Sequence, residues 1–505
     1  MTTFTTIRTL LETGDDDAPA IGAPDRPDLS YSGLRRQVDR TVTSLRAIGI
    51  QRNDAVAIVL PNGPEMASAF VSIACGATTA PLNPAYRQEE FRFYLSDLDA
   101  KLLVVEAGSR SPALDVAREL GIDAVELSYV PGDAAGTFVL GDVMPADAAT
   151  DFSEADDVAL VLHTSGTTSR PKIVPLSQAN VCASAENVAV SIDLTREDRC
   201  LNIMPLFHIH GLIAAVLASL QSGGSVHCTP GFNALHFFRW LEEIEPTWYT
   251  GVPTMHQAIL ARAARNADAI SRTRLRLVRS SSASLPPQVM AELEATFGAP
   301  VIEAYGMTEA AHQMASNPLP PAARKPGFVG LPAGPEVAIM NETGELLAAG
   351  EVGEIVIRGA NVTTGYKNND EANATAFTNG WFRTGDQGTM DAEGYFRLTG
   401  RLKEIINRGG EKISPREVDE VLLDHPDVVQ VVTFAVPHDK LGEDVAAAIV
   451  LAEGAHTDEA DLRRFAAQRL ADMKVPRKIV FLDEIPKGAT GKLQRIGLAE
   501  KLGLV

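Results

Sequence analysis

Two hydrophobic periods alternate along the first half of the chain. Leu34, Val38, Val42 and Leu45 recur at helical spacing, and Gly49 follows as a stop signal, which predicts a helix. Asp54 to Leu60 is instead a short unbroken apolar run closed by Pro61-Asn-Gly, the pattern of a strand buried on both faces. Glu65 to Cys75 returns to the helical period, and Lys101-Leu-Leu-Val-Val105 is again strand-like. Such alternation predicts a layered α/β architecture of sheets covered by helices. Pro131 to Asp151 is dense in Ala, Gly, Asp and Pro, which predicts a loop or linker before the next strand, Val158 to Leu162. No internal repeat of fixed period is present.

Near Leu398 to Arg408 the texture changes. Strand patterns at Val428 to Val436 and Val445 to Leu451 precede a helical pattern at Asp458 to Leu470 and a strand pattern at Lys478 to Leu482. These describe a compact α+β unit of about a hundred residues. The expected division is a large domain of several subdomains over 1–402 and a smaller domain over 403–505. The join at Leu402-Lys403 is polar and short, so the two bodies are expected to rotate about it.

Composition narrows the class. Of 505 residues, 45% are apolar and 22% charged, ordinary values that exclude disordered, collagenous and membrane-spanning proteins. A chain this long builds a core without disulfide or metal staples. The charge sum of −20 argues against broad nucleic-acid binding, which runs on clustered cations, but leaves room for a local basic pocket. Cys75, Cys182, Cys200 and Cys228 lie far apart with no C-x-x-C, so they are expected to be reduced, buried packing residues. No window approaches the ~20 apolar residues of a spanning helix. No signal-peptide pattern opens the chain, and Lys501-Leu-Gly-Leu-Val505 is not a Ser-Lys-Leu ending, so the expected location is cytoplasmic, without membrane insertion. No pattern encodes the oligomeric state.

The sharpest chemical signal is Thr164-Ser165-Gly166-Thr167-Thr168-Ser169-Arg170-Pro171-Lys172, directly after the Val158 to Leu162 run. Small hydroxyl residues and a glycine let backbone N–H and side-chain O–H groups crowd around phosphate oxygens while cations balance the charge. A polar turn is the bland alternative. The segment is not a Walker A loop, and no Gly-x-Gly-x-x-Gly follows a strand, so a dinucleotide fold has no support.

This loop resembles the phosphate-binding signature of the adenylate-forming superfamily, which includes acyl-CoA synthetases, coumarate-CoA ligases, luciferases and the adenylation domains of peptide synthetases. Further segments match in order: Tyr305-Gly-Met-Thr-Glu309, Thr384-Gly-Asp386, Gly400-Arg-Leu-Lys-Glu404, Asn407-Arg-Gly-Gly-Glu-Lys412 and Pro486-Lys-Gly-Ala-Thr-Gly-Lys492. Any one match is weak; the ordered set spans nearly the whole chain. The resemblance implies a two-step reaction, carboxylate plus ATP giving acyl-AMP and pyrophosphate, then thiol attack giving a CoA thioester. It implies that Thr164, Ser165, Gly166, Thr167, Thr168 and Lys172 bind phosphates and that Thr308 touches the α-phosphate. Glu309 would hold Mg2+, for which a carboxylate is a suitable hard ligand. Ser282, Ala283, Ser284, Tyr305 and Gly306 match the adenine pocket, and Asp386 with Arg401 the ribose clamp. Lys492 matches the lysine that bridges carboxylate and phosphate oxygens during adenylation. Lys403 matches the hinge, Gly409 and Gly410 the thiol tunnel, and His208 the gate between acyl site and tunnel. Two departures stand out: Ser169 and Ile173 occupy positions that are usually glycine.

The acid is the more specific question. Synthetases for fatty or aromatic acids tend to line the acyl slot with small or apolar residues. This chain offers His210, Ser282 and His312 there. Each histidine alone would more often be a satisfied structural residue. Together they suit a second carboxylate, because a buried anion needs several donors. The local wording is most similar to the oxalate–CoA ligase group, carried by Pro205-Leu-Phe-His-Ile-His-Gly211, Ser280 to Leu285, Ser316-Asn-Pro-Leu-Pro320, Gly365-Tyr-Lys-Asn-Asn369 and Ile406-Asn-Arg-Gly-Gly-Glu-Lys-Ile-Ser-Pro415. The partners it implies are a small carboxylic acid such as oxalate, with ATP and CoA as co-substrates and no nucleic acid. The alternatives are another short- or medium-chain acyl-CoA synthetase, or an adenylate former that loads a separate carrier protein.

Overall fold

The computed structural model describes residues 4–141, 151–164, 171–486 and 495–505. The chain forms two compact units. The first comprises Met1–Lys325, Gly330–Glu336 and Ile357–Phe377; the second comprises Pro326–Val329, Val337–Val356 and Thr378–Val505. The fold is mixed α/β, as the alternating hydrophobic periods predict.

In the first unit, a seven-stranded sheet runs in the order Val139–Leu140, Asp123–Ser128, Leu102–Glu106, Ala55–Val59, Thr78–Pro81, Val158–His163, Ile173–Ser177. Its centre is parallel and each edge closes with an antiparallel pair. Central strands buried on both faces can be apolar throughout, and Ala55–Val59 is buried at every position. A nine-stranded sheet runs Leu331–Pro332, His312–Ser316, Val301–Met307, Leu277–Ser280, Trp248–Gly251, Arg199–Asn202, Ser225–Cys228, Pro19–Gly22, Leu29–Ser30.

Helices Tyr31–Ala47 and Pro64–Ala74 touch strands of both sheets, which explains why Pro64–Ala74 is apolar almost all round. Tyr31–Ala47 begins where the Ser30 hydroxyl accepts the Gly33 N–H at 3.2 Å. It buries Leu34, Val38, Val42 and Leu45, the four positions set apart by their spacing. The stretch rich in Ala, Gly, Asp and Pro contains the short strand Val139–Leu140, and its residues 142–150 lie outside the described residues.

The second unit holds two five-stranded sheets. In one, Glu336–Met340, Val352–Arg358, Trp381–Met390 and Phe377–Thr378 follow in order, and Phe396–Arg401 pairs with Trp381–Met390. In the other the order is Glu411–Ile413, Ile406–Arg408, Gly442–Leu451, Val428–His438, and Lys478–Phe481 adds in parallel to Gly442–Leu451. Helices Pro415–Leu423 and Glu459–Ala467 cover that sheet, burying Val418, Leu422, Leu462 and Ala466 with Ile406, Ile413 and Val445. All four cysteines are buried free thiols. Among the described residues no helix is long and apolar enough to cross a membrane.

Candidate active site

The acyl-pocket candidates collect at the nine-stranded sheet. Strands Trp248–Gly251 and Leu277–Ser280 run parallel with Thr250 and Arg279 as register partners, so the two side chains stand side by side on one face. His210 opens a π-helical stretch, His210–Leu217, in which every residue is buried. Such windings recur at functional sites. The His210 imidazole lies 3.0 Å through Nδ1 from Ser282 Oγ and 2.6 Å through Nε2 from Thr250 Oγ1. The His312 ring centroid is 5.0 Å from that of His210. The three residues that the sequence assigns to the acid, His210, Ser282 and His312, are therefore brought together.

The backbone is bent to achieve this. Ser282, Ala311 and His312 have φ of 71°, 47° and 102°. Non-glycine residues in that region cost on the order of 1 kcal/mol each and persist where the surroundings over-determine them, often at functional sites. Gly306, opposite Gln313 across the Val301–Met307 and His312–Ser316 pair, permits the close approach: a Cβ there would lie 1.7 Å from the His312 carbonyl oxygen.

Arg279 opens a segment expected to line the acyl pocket, Arg279 to Ser284, without a role of its own. It is fully buried, and burial pulls its guanidinium down to about 9. Its Nη2 donates to Gln313 Oε1 at 2.9 Å, and its Nη1 lies 3.5 Å from both Thr250 Oγ1 and His210 Nε2. The signal available was a charge placed inside the buried strand Leu277-Val-Arg-Ser280.

The phosphate-side candidates gather nearby in the chain's first unit. The hairpin of Val158–His163 and Ile173–Ser177 brings the loop ends together: Thr164 N–H donates to Lys172 O at 2.9 Å, and Lys172 N–H to Thr164 Oγ1 at 3.3 Å. Ser165, Gly166, Thr167 and Thr168 lie outside the described residues. Lys172 Nζ sits 4.2 Å from the centroid of the Tyr366 ring, and Tyr366 donates its hydroxyl to Glu309 Oε1 at 2.9 Å. Tyr366 thus ties together two groups that the motifs list separately. Glu309 occupies the turn Thr308–Ala310, which Thr363 N–H grips by donating to Glu309 O at 2.8 Å. Tyr305 is buried in its strand, Ser282 is partly buried, and Ala283 and Ser284 are exposed. His208 accepts the His210 N–H on Nδ1 at 3.3 Å.

Glu309 fits Mg2+ as a single, largely buried carboxylate at the end of a strand; no cluster of three or more His, Cys, Asp or Glu suited to a metal occurs among the described residues. That is the donor set expected when a nucleotide's phosphates and water supply the remaining ligands.

In the second unit, Asp386 and Arg401 are register partners on neighbouring antiparallel strands, with Arg401 Nε 3.0 Å from Asp386 Oδ1. Asp386 is buried, and its N–H donates to Thr384 Oγ1 at 3.1 Å. Lys403 is exposed. Gly409 and Gly410 both have positive φ, and a Cβ on Gly410 would meet nothing within 4 Å. Lys492 lies outside the described residues.

The AMP-binding enzyme family matches residues 12–367, and the AMP-binding enzyme C-terminal domain matches residues 417–492. The chain belongs to the AMP-binding enzyme family. Within the family it is 47% identical to an oxalate–CoA ligase of Arabidopsis thaliana, over 94% of this chain and 95% of that one. It is 43% identical to an oxalate–CoA ligase of Saccharomyces cerevisiae, over 89% and 87% of the two chains. The ATP-bound structure of MatB from Rhodopseudomonas palustris superposes with a TM-score of 0.89 at 29% identity, covering 98% of both chains. The His210–Ser282–His312 cluster and the Lys172–Tyr366–Glu309 chain both fall within the AMP-binding match, and the C-terminal match ends on Lys492.

Proposed function

We propose that this AMP-binding enzyme is an ATP-dependent acid–CoA ligase that turns oxalate into oxalyl-CoA by way of oxalyl-AMP. The observation that carries the acid is the buried donor cluster of His210 and Ser282 beside His312, read together with relatives that are oxalate–CoA ligases. An oily slot would leave a second carboxylate without partners, at a cost of several kcal/mol. The Ser282 hydroxyl and the His312 imidazole can donate to it, with His210 standing behind Ser282.

In the first half-reaction a carboxylate oxygen of the acid attacks the α-phosphorus and pyrophosphate leaves. In the second, the CoA thiolate attacks the acyl carbon and AMP leaves. Thr164 to Thr168, Lys172 and Thr308 hold phosphate oxygens, and Lys492 bridges carboxylate and phosphate as charge develops. Tyr305, Gly306 and Ser282 to Ser284 receive adenine, and the Asp386–Arg401 pair receives the ribose. Glu309 would hold Mg2+, which would supply positive charge against the phosphates. His208 gates the passage toward CoA, Gly409 and Gly410 leave room for the pantetheine arm, and Lys403 is the hinge between the half-reactions. Four buried, reduced thiols support a cytoplasmic setting.

A substrate panel scored separately for pyrophosphate release and for CoA thioester tests this. Oxalate should exceed malonate and C8–C16 fatty acids in both. His210→Ala and His312→Ala should raise the KM for oxalate far more than that for ATP, while Lys403→Pro should lose thioester formation and keep pyrophosphate release. A long-chain preference defeats the acid assignment, and thioester formed only on a carrier protein defeats CoA as acceptor.

A further inference from the structure

Arg279 is a cation in the wrong place for a purely structural residue. It has no exposed surface, yet its hydrogen-bonding neighbours are neutral: Gln313 Oε1, Thr250 Oγ1 and His210 Nε2. Its Nε–H has no partner among the described residues, and no described carboxylate pairs with it. Burying a charge without a counter-charge costs several kcal/mol. A charge held that way is explained when a ligand supplies the opposite sign.

The donor pattern shows how the charge reaches the pocket. A guanidinium can only donate, so Thr250 Oγ1 turns a lone pair toward it, and a hydrogen on His210 Nε2, 3.5 Å away, would face the guanidinium's own hydrogens. The short 2.6 Å contact between those two atoms is then Thr250 O–H donating to Nε2. With Nε2 accepting, a neutral His210 carries its proton on Nδ1 and donates it to Ser282 Oγ, 3.0 Å away. The Ser282 hydroxyl, its oxygen engaged as acceptor, keeps its own hydrogen to donate. Every link then runs one way, Arg279 to Thr250 to His210 to Ser282, and such chains polarise one another. The strained φ of Ser282 holds the last member in place.

We propose that Arg279 is the positioning residue of the acyl pocket: through Thr250 it fixes His210 as the Nδ1–H tautomer, so that Ser282 presents a hydrogen to the second carboxylate of a small dicarboxylate. Arg279 itself does not touch the acid. This rests on the oxalate reading of the pocket and adds which residue sets its polarity.

Thr250→Val removes the relay hydroxyl without changing shape, Arg279→Met removes the charge, and Arg279→Lys keeps a cation without the fork. The first readout is the 15N spectrum of histidine-labelled, substrate-free enzyme, with His210 identified by its loss in His210→Gln. Wild type should show a pyridine-type Nε2 and a pyrrole-type Nδ1. Thr250→Val and Arg279→Met should populate the opposite tautomer, and Arg279→Lys should retain the wild-type one in part. The second readout is steady-state kinetics. Oxalate KM should rise at least about tenfold in Thr250→Val and Arg279→Met, the loss of a hydrogen bond in a charged chain, with the KM for ATP within about twofold. A pyrrole-type Nε2 in wild type overturns the proposal. So does a wild-type tautomer and oxalate KM in Thr250→Val, the variant least prone to misfold. The spectral arm needs no substrate, so an enzyme that ignores oxalate would defeat the acid assignment alone and leave the tautomer to judge Arg279.

Discussion

Tyr366 shows how one side chain can serve two others. Its ring faces the Lys172 ammonium and its hydroxyl donates to Glu309, so the cation and the carboxylate that we propose for phosphate and Mg2+ share a support. Tyr366→Phe keeps the ring and loses the donor. A hydrogen bond to a charged group contributes about 1.5–3 kcal/mol, so the KM for MgATP should rise about ten- to a hundredfold in pyrophosphate exchange. Tyr366→Leu should lose a further ~0.5–2 kcal/mol through Lys172. A Tyr366→Phe variant with wild-type exchange kinetics would show that Glu309 needs no such support. Glu309 and Lys172 could be proposed from sequence because their neighbours in the chain form recognisable motifs. Tyr366, Thr250 and Arg279 could not. Their roles come from partners 29 to 194 positions away, which only the assembled sheet brings close.

In the pair of strands Val301–Met307 and His312–Ser316, joined through the turn that bears Glu309, Gly306 lets the two backbones approach closely. Gly306→Ala would force a Cβ against a carbonyl that cannot move without shifting His312. We expect about 3 kcal/mol of destabilisation, at the upper end of overpacking costs, read as a lower urea midpoint with unchanged slope. An unchanged midpoint would mean that the strands separate freely. Elements with a clear period were legible: helix Tyr31–Ala47 from four spaced apolar positions inside it, and strands Ala55–Val59 and Leu102–Glu106 to within a residue from unbroken apolar runs. His210–Leu217 was not, because a run that is apolar on every side offers no period from which its winding could be read. The left-handed turns at Ser282 and Ala311-His312 were equally hidden, since none of these is the glycine or asparagine that usually marks such a turn.

At the scale of the molecule, 65 acidic against 45 basic residues give a surface of the wrong sign for ATP, CoA and a dicarboxylate. The site we propose answers with a few placed cations, and fully buried Arg279 stands behind it. Fold class, family and reaction were legible because the ordered motifs spread along nearly the whole chain. The residues proposed to meet the acid could be named from the sequence, whereas the contacts of Arg279 with them could not. The burial of Cys75, Cys182, Cys200 and Cys228 has one more consequence. An acyl-adenylate is an indiscriminate acylating agent, and a thiolate is the nucleophile it meets fastest. Burial raises these thiols, Cys75 and Cys228 to about 12, and keeps them out of reach. Enzyme held with ATP and oxalate but no CoA should therefore show no oxalyl adduct on any cysteine by intact-mass and peptide analysis, and an adduct on any of the four would contradict this. The protein shields its intermediate from itself, leaving the incoming cofactor as the thiol able to resolve it.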